Sequence, residues 1–187
     1  AINKILIKNK ILATILYSEN YSKNFIEIQD FGNETIFNNL NKKRNDKLNY
    51  FKKIIDLLIK IQAIKNKKIK NFKNYSYVIP KYNQKILFKE AYLFCDWYLD
   101  RKLSKSKKNE FLKEFKKIIK KLISNLKLKN NVLVHRDFHV SNLMIFNRQI
   151  GVINSQDALI GNKAYDLASL VDDVRFKTSK KIKKKIF

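Results

Sequence analysis

Residues 132–146 read VLVHRDFHVSNLMIF, and this stretch decides the fold of the chain. It begins with three apolar residues that are typical of a short buried strand, continues as a polar loop and ends in a second apolar run. A further apolar run follows over residues 150–153, and the link at 147–149 has the length of a hairpin connection. The pattern predicts a strand over 132–134 and a hairpin of strands 143–146 and 150–153. The polar loop 135–142 is therefore expected to lie between rigid elements.

The loop has a spacing of polar residues that suits phosphoryl transfer. Asp137 precedes Asn142 by five residues. A carboxylate can accept the proton of an attacking hydroxyl group, and an amide oxygen can ligate a magnesium ion that bridges phosphates. His-Arg-Asp followed by this asparagine is the order of a kinase catalytic loop. An ordinary polar turn with a chance match is the alternative, but the flanking strand and hairpin favour the catalytic interpretation.

The remainder of the chain is predicted to be mostly helical, with one earlier strand. Residues 2–16 read as the end of a helix followed by a loop, and 24–29 as a strand that a turn at 30–33 terminates. Apolar residues at helical spacing predict helices over 48–64, 87–99, 110–126 and 164–176. Residues 65–85 are predicted to be a connection, and the tail 177–187 holds six lysines among few apolar residues. This order of elements predicts an α+β fold.

Composition limits the class of protein. The chain has 187 residues, a formal charge of +25 and 45% apolar residues, which excludes wholesale disorder. A single cysteine excludes a disulfide framework, and no apolar run approaches the length of a bilayer span, so we expect a cytoplasmic protein without a membrane partner. Lysine outnumbers arginine 36 to 5 and is spread along the chain. This distribution favours codon bias over a specific nucleic-acid partner, although a basic nucleic-acid-binding module stays the alternative from another class.

Several motifs together resemble a known family. These are HRD at 135–137, NLM at 142–144, GVI at 151–153, QDALIG at 156–161 and YDLASL at 165–170. The run 132–174 that contains them resembles the aminoglycoside phosphotransferase / choline kinase superfamily. Within that superfamily it is most similar to the N-acetylmuramate/N-acetylglucosamine anomeric kinases of bacterial cell-wall recycling. Upstream, 25–32 resembles the hinge strand of that group, and 93–99 resembles its Trp-Tyr-Leu helix.

The resemblance implies a protein-kinase-like α+β fold, with the end of an N-lobe and the hinge over 1–33 and a truncated helical C-lobe over 34–187. It also implies ATP- and Mg²⁺-dependent phosphorylation of a small hydroxylated substrate, an amino sugar. No glycine-rich loop and no phosphate-binding lysine precede residue 25, and the chain begins with Ala1, so it looks like an internal fragment. An inactive member or fragment of the family is the alternative, and partners other than the sugar stay unknown.

Position by position, the resemblance assigns roles to the residues of the loop. Asp137 is the expected catalytic base and Asn142 a magnesium ligand. Asp166 and His135 are expected to brace the loop, with the Asp166 carboxylate accepting backbone N–H groups. An ordinary charge at a helix N-terminus is the alternative for Asp166. His139 and Asp96 are weaker candidates for contacts with the sugar.

The resemblance also assigns roles to residues of the hinge and of a second metal position. The Gln29 carbonyl and the Phe31 N–H are expected to face the adenine of ATP. Asn154 stands where the family has its second magnesium-binding aspartate, and Ser155 where it has an aromatic residue. A neutral amide is a weaker ligand for a hard cation, so we expect reduced metal affinity unless Asp157 compensates. The sequence Asp-Phe-Gly at 30–32 spells the metal motif of kinases but precedes the catalytic loop, so it is not that motif.

Overall fold

The computed structural model describes residues 1–42, 47–71, 73–99, 102, 104–127 and 129–186. These residues form an α+β structure that divides into two compact units. The first unit combines 1–80 with 131–187, and the second is 81–130. The boundary between two lobes at residue 33 stays a prediction.

Helices and strands are interspersed along the described residues. The helices are α1 (Ile2–Lys8), α2 (Ile36–Lys42), α3 (Lys47–Gln62), α4 (Gln84–Tyr98), α5 (Lys105–Asn125), α6 (Ala164–Val171) and α7 (Lys180–Ile186). The strands are β1 (Leu16–Asn20), β2 (Phe25–Ile28), β3 (Lys68–Lys70), β4 (Ser76–Val78), β5 (Val132–Val134), β6 (Leu143–Phe146), β7 (Gln149–Val152) and β8 (Leu159–Gly161). They pair antiparallel as β1–β2, β3–β4, β5–β8 and β6–β7. No described helix is long and apolar enough to cross a membrane.

Helix α3 supplies much of the core of the first unit. Phe51, Ile54, Leu58 and Ile61 recur at spacings of three and four residues, so they lie on one face, and each is almost fully buried. The same core contains Leu133 of β5 and other buried residues from the loop, the hairpin and α6. The strand that precedes the candidate catalytic loop is therefore anchored in the centre of the unit.

The β6–β7 hairpin follows the candidate catalytic loop. Phe146 pairs with Gln149, and the two residues between them have positive φ angles, 48° at Asn147 and 62° at Arg148. This backbone is that of a type I′ turn, whose twist matches the twist of paired strands. Both edges of the hairpin are hydrogen-bonded outside it, since Val152 N–H donates to the carbonyl of Leu12 and Ile145 N–H to that of Glu34. These hydrogen bonds hold the hairpin in place next to the loop 135–142.

The segment after β2 turns sharply beside this hairpin. The N–H of Gly32 donates to Oδ1 of Asp30 over 2.7 Å, and Gly32 has a φ of 72°. The Phe31 ring is buried and stacks on Phe146 with a centroid separation of 4.8 Å. A Cβ on Gly151 would lie 2.7 Å from Cε2 of Phe31, so the absence of a side chain at Gly151 lets this ring approach β7.

The structure corrects several boundaries and adds elements. The helix predicted over 164–176 ends at Val171, because Oδ1 of Asp173 accepts the backbone N–H of Arg175 and stabilises a turn there. The connection predicted over 65–85 contains β3 and β4, and the tail contains α7. Strands β1 and β8 and helix α2 were also not predicted. The predicted strands over 132–134 and 143–146 are confirmed.

The second unit contains the paired helices α4 and α5. Asn83 precedes α4, and its Oδ1 accepts the N–H of Ile86 over 2.9 Å, which caps the helix. Aromatic rings pack between the helices, with Phe94 lying 6.4 Å from Phe111 and 6.1 Å from Phe115 between centroids. Helices were predicted in both places, although α5 begins five residues before the predicted Glu110.

Candidate active site

The loop after β5 is held at its start by one buried carboxylate. Asp166, in the first turn of α6, is fully buried. Its Oδ2 accepts the backbone N–H of His135 over 2.7 Å, and its Oδ1 accepts that of Arg136 over 3.0 Å. Arg136 has a φ of 77°, a conformation that costs free energy in a residue with a side chain. The paired hydrogen bonds stabilise this turn and fix the direction in which the chain leaves β5.

Burial shifts the pKa values of His135 and Asp166 at the start of the loop. It lowers the pKa of His135 to about 4, which outweighs the raising effects of the Ile153 backbone and the Asp137 carboxylate. It raises the pKa of Asp166 to about 6, against the lowering effect of the two backbone N–H donors. At neutral pH the imidazole is therefore uncharged and Asp166 is a carboxylate. In that state Asp166 can accept both hydrogen bonds.

The exposed Asp137 follows directly, and Asn142 closes the loop beneath it. The side-chain Nδ2 of Asn142 donates to the backbone carbonyl of Asp137 over 2.9 Å and lies 3.1 Å from Nε2 of His139. The backbone N–H of His139 also donates to the Asp137 carbonyl over 3.0 Å. The Asp137 carbonyl is thus fixed from two sides, while its carboxylate stays open to solvent and available to a substrate.

The side chain of His139 is buried within the loop. Its pKa is lowered, first by burial and then by the charge of Arg175, against smaller raising effects of Asp173 and Asp137. An imidazole that accepts a hydrogen bond at Nε2 carries its proton on Nδ1. That nitrogen is buried and has no hydrogen-bond partner among the described residues. The contact with Asn142 therefore places His139 inside the loop network, and its predicted contact with a sugar stays a prediction.

Asn154 joins this network from the end of β7. Its Nδ2 donates to Oδ1 of Asn142 over 3.3 Å. The residue has φ 65° and ψ 33°, a left-handed conformation that asparagine and aspartate tolerate better than most residues. The two side chains predicted as metal ligands are thus brought together, although they contact each other through a donor and an acceptor.

Ser155 is buried in place of the family's aromatic residue. Its hydroxyl hydrogen-bonds Oδ1 of Asn3 in α1, and Nδ2 of Asn3 donates over 2.8 Å to both the carbonyl and the hydroxyl of Thr14. Helix α1 is therefore connected by polar side chains to the segment that carries Asn154. Nothing in the sequence singled out Asn3, because its partner lies 152 residues away.

These residues fit a magnesium ion poorly. The ion prefers an octahedron of oxygen ligands that includes one or two carboxylates. Asn142 and Asn154 are both neutral, and the hydrogen bond between them directs an N–H, not an oxygen, into the space between them. Within the described ranges, no three His, Cys, Asp or Glu side chains form a group that could hold a metal ion. The carboxylate of Asp157 is exposed, and its backbone carbonyl lies 3.4 Å from a guanidinium nitrogen of Arg136.

A cleft of about 970 Å³ connects the hinge segment to Asn154. Its walls come from α1, the β1–β2 hairpin, the turn at 29–32 and the segment 153–156, with Met144 of β6 also lining it. The Gln29 N–H donates to the carbonyl of Ile15 over 2.8 Å. Within the part of the chain that the structure describes, neither the Gln29 carbonyl nor the Phe31 N–H is paired, so a ligand in the cleft could bind both. The volume is that of a site for a nucleotide-sized ligand.

The last predicted site residue lies in the second unit. Asp96 is an exposed residue of α4. The structure places it on a helix of the unit 81–130. Its role stays a prediction.

Comparisons with known proteins find a matching family and similar sequences. A model of the phosphotransferase enzyme family matches residues 11–183. An N-acetylmuramate/N-acetylglucosamine kinase of Pseudomonas aeruginosa is 31% identical over 158 residues, which are 84% of this chain and 44% of that protein. The kinase of the same name from Neisseria meningitidis is 34% identical over 96 residues, 51% of this chain and 29% of that protein. The chain thus spans less than half the length of these curated relatives.

Solved structures show the same fold. An ADP-bound aminoglycoside phosphotransferase, APH(2″)-Ib, superposes with a TM-score of 0.65 at 18% identity, covering 99% of this chain and 62% of that one. The gentamicin complex of APH(2″)-IIa gives the same TM-score and coverage at 17% identity. These similarities confirm the kinase-like α+β fold. Since the family match extends over residues 11–183, the chain belongs to the phosphotransferase enzyme family.

Proposed function

We propose that this chain carries the hinge and the catalytic loop of a kinase that transfers phosphate from ATP to a small hydroxylated substrate, an amino sugar. The observation that carries the proposal is the pair of hydrogen bonds from His135 and Arg136 to Asp166, which fixes the loop that presents Asp137. The two curated relatives described above, both named for kinases of N-acetylmuramate and N-acetylglucosamine, support the amino sugar. The proposed reaction takes place in the cytoplasm.

The proposed chemistry uses the exposed carboxylate of Asp137. A hydroxyl of the sugar donates a hydrogen bond to this carboxylate, which accepts the proton as the oxygen attacks the terminal phosphate of ATP. The bond from that phosphorus to the bridging oxygen breaks, and ADP leaves with that oxygen. Hydrogen bonds to the Asp137 carbonyl from Asn142 and His139 hold the residue in place, so little reorganisation is needed.

The proposed nucleotide site is the cleft beside Phe31. The adenine would bind the unpaired Gln29 carbonyl and Phe31 N–H, and the phosphates would extend towards Asn154 and the loop. In the kinases of this family a magnesium ion supplies neutralisation of phosphate charge. The proposed transfer includes no step on such an ion, because Asn142 and Asn154 fit it poorly.

The second candidate function is binding without turnover. The hydrogen bond between Asn154 and Asn142 favours it, since no carboxylate faces the phosphates from position 154. An inactive member of the family would keep the hinge, the cleft and the braced loop but would transfer phosphate slowly.

A transfer assay separates the two functions. The chain is fused to the segments of the Pseudomonas aeruginosa relative that it does not match, and ADP release is followed with N-acetylmuramate, N-acetylglucosamine and no sugar. The kinase proposal predicts sugar-dependent release that Asp137→Asn lowers by roughly 100-fold or more, the range of a lost general base. Lysine substitution controls such as Lys181→Gln, on exposed α7, should leave the rate unchanged. Release that does not depend on the sugar, or that survives Asp137→Asn, would contradict the proposal.

A further inference from the structure

The orientation of two side-chain amides at the end of the cleft follows from their partners. The Asp137 carbonyl can only accept a hydrogen bond, so Asn142 must direct its Nδ2 towards it. The same nitrogen lies 3.1 Å from Nε2 of His139. Oxygen Oδ1 of Asn142 is therefore left for Asn154, which must present its own Nδ2. The network admits one orientation of each amide.

This orientation determines what the pair can bind. Two oxygens that coordinate one magnesium ion at about 2.1 Å in neighbouring positions lie roughly 3 Å apart. Oδ1 of Asn142 and Nδ2 of Asn154 lie 3.3 Å apart, so the N–H hydrogen stands close to where a shared cation would be. A carboxylate at position 154 would instead place two oxygens face to face. A cation between them, or a proton on the carboxylate, would relieve that repulsion.

The backbone at position 154 accommodates both asparagine and aspartate. Asn154 has a left-handed conformation that aspartate also tolerates, so exchanging the two residues needs no change of main chain. The adjoining Ser155 is tied by its hydroxyl to Asn3 of α1, which holds the segment where it is. The presence or absence of one N–H is then the main difference between the two side chains.

We propose that the Asn154 amide replaces the divalent cation at Asn142, so that this chain binds its nucleotide without magnesium. The nucleotide part rests on the proposed function, whereas the replacement itself does not. Lys4 lines the same cleft, so it would supply positive charge there in place of the ion. A single substitution, Asn154→Asp, should convert the amide pair into a divalent-cation site.

The first measurement uses magnesium chloride alone on the full chain and follows thermal unfolding against salt of equal ionic strength. We expect no shift for the wild type. For Asn154→Asp we expect stabilisation by roughly 2–5 °C at a magnesium concentration about ten times the dissociation constant. The matched control is Asn147→Asp, which makes the same change at another exposed residue with positive φ, in the β6–β7 turn. It should not respond to magnesium.

The second measurement is calorimetric titration with ADP in EDTA or in magnesium. The wild-type dissociation constant should change by less than about twofold, while Asn154→Asp should bind ADP more weakly in EDTA and regain affinity by roughly tenfold in magnesium. A wild type that needs magnesium to bind ADP overturns the inference, as does an Asn154→Asp protein that ignores magnesium in the first measurement. If ADP does not bind any of the proteins, the proposed function and the nucleotide part fail, while the first measurement still decides the replacement.

Discussion

Replacing Gly151 with alanine would place a methyl carbon 2.7 Å from Cε2 of Phe31 and 3.1 Å from two side-chain atoms of Leu12. The Phe31 ring cannot move aside easily, because it is buried and stacked on Phe146. Forcing an extra carbon into such a packed site costs about 1–3 kcal/mol. In a chain of this size that loss lowers the melting temperature by roughly 2–12 °C. Displacing Phe31 should also weaken nucleotide binding at the hinge.

Two further variants separate steric overlap from backbone strain. Gly32→Ala meets nothing within 4 Å but forces a φ of 72° on alanine, which costs about 1–2 kcal/mol. Phe31→Leu removes the ring atom that the new methyl group would meet. It should therefore recover at least about 0.5 kcal/mol of the loss caused by Gly151→Ala, and none of the loss caused by Gly32→Ala.

The assay is urea unfolding followed by circular dichroism, with ADP titrations on the same proteins. Non-additivity between Phe31→Leu and Gly151→Ala measures the contact directly. If Gly151→Ala is as stable as the wild type, or if Phe31→Leu does not relieve its effect, then the hinge segment does not lie against β7 as described.

Three further outcomes are expected. Because burial raises the folded-state pKa of Asp166 from 3.8 to about 6, the wild type should lose about 2 kcal/mol of stability relative to Asp166→Asn as the pH rises from 4 to 6.5. His135 acts in the opposite direction: since its folded-state pKa is lowered from 6.5 to about 4, the wild type should lose about 3 kcal/mol relative to His135→Gln as the pH falls from 6.5 to 4. Urea unfolding across this pH range checks both signs, and parallel profiles for wild type and variant would contradict either one. With 36 lysines the chain should retain nucleic acid at low salt, but binding at about 0.15 M salt should be micromolar or weaker and without sequence preference. Tight, sequence-selective binding in a filter assay would instead favour a nucleic-acid module.

The candidate catalytic loop could be predicted from sequence because its signals are local. The apolar runs on either side of residues 135–142 predict strands, and the structure confirms β5 and β6 at the expected residues. The hairpin connection is equally local, since apolar runs lie on both sides of residues 147–149. Such short-range patterns do not depend on what else packs nearby.

Other elements could not be predicted, because their cause is distant in sequence. Strand β8 forms by pairing with β5, about 27 residues earlier, and contributes only three residues. Strands β3 and β4 have only three residues each, too few to show a periodicity in the sequence. Helix α6 is shorter than its apolar pattern indicates, because the Asp173 side chain competes for backbone N–H groups. In each case a partner that the pattern does not contain determines the outcome.

In the candidate site, too, some features follow from local sequence and others from contacts between distant residues. Reduced metal affinity at Asn154 was expected from residue type alone, whereas its hydrogen bond to Asn142 depends on how two segments meet. The need for Gly151 likewise follows only from the position of Phe31, 120 residues earlier in the chain. A glycine in a strand of a hairpin indicates a close approach but does not identify what approaches.

The central proposal is that the cleft between the hinge segment and Asn154, whose side chain contacts Asn142 of the candidate catalytic loop, is a single nucleotide site. Nuclear magnetic resonance of the unaltered chain, titrated with ADP, tests it most directly. We predict that the amide signals of Phe31 at the hinge and of Asn154 beside the loop shift together with one dissociation constant. The amide of Tyr77 in β4, which does not line the cleft, should stay in place. Shifts confined to lysine-rich surfaces, or different dissociation constants at Phe31 and Asn154, would contradict the claim.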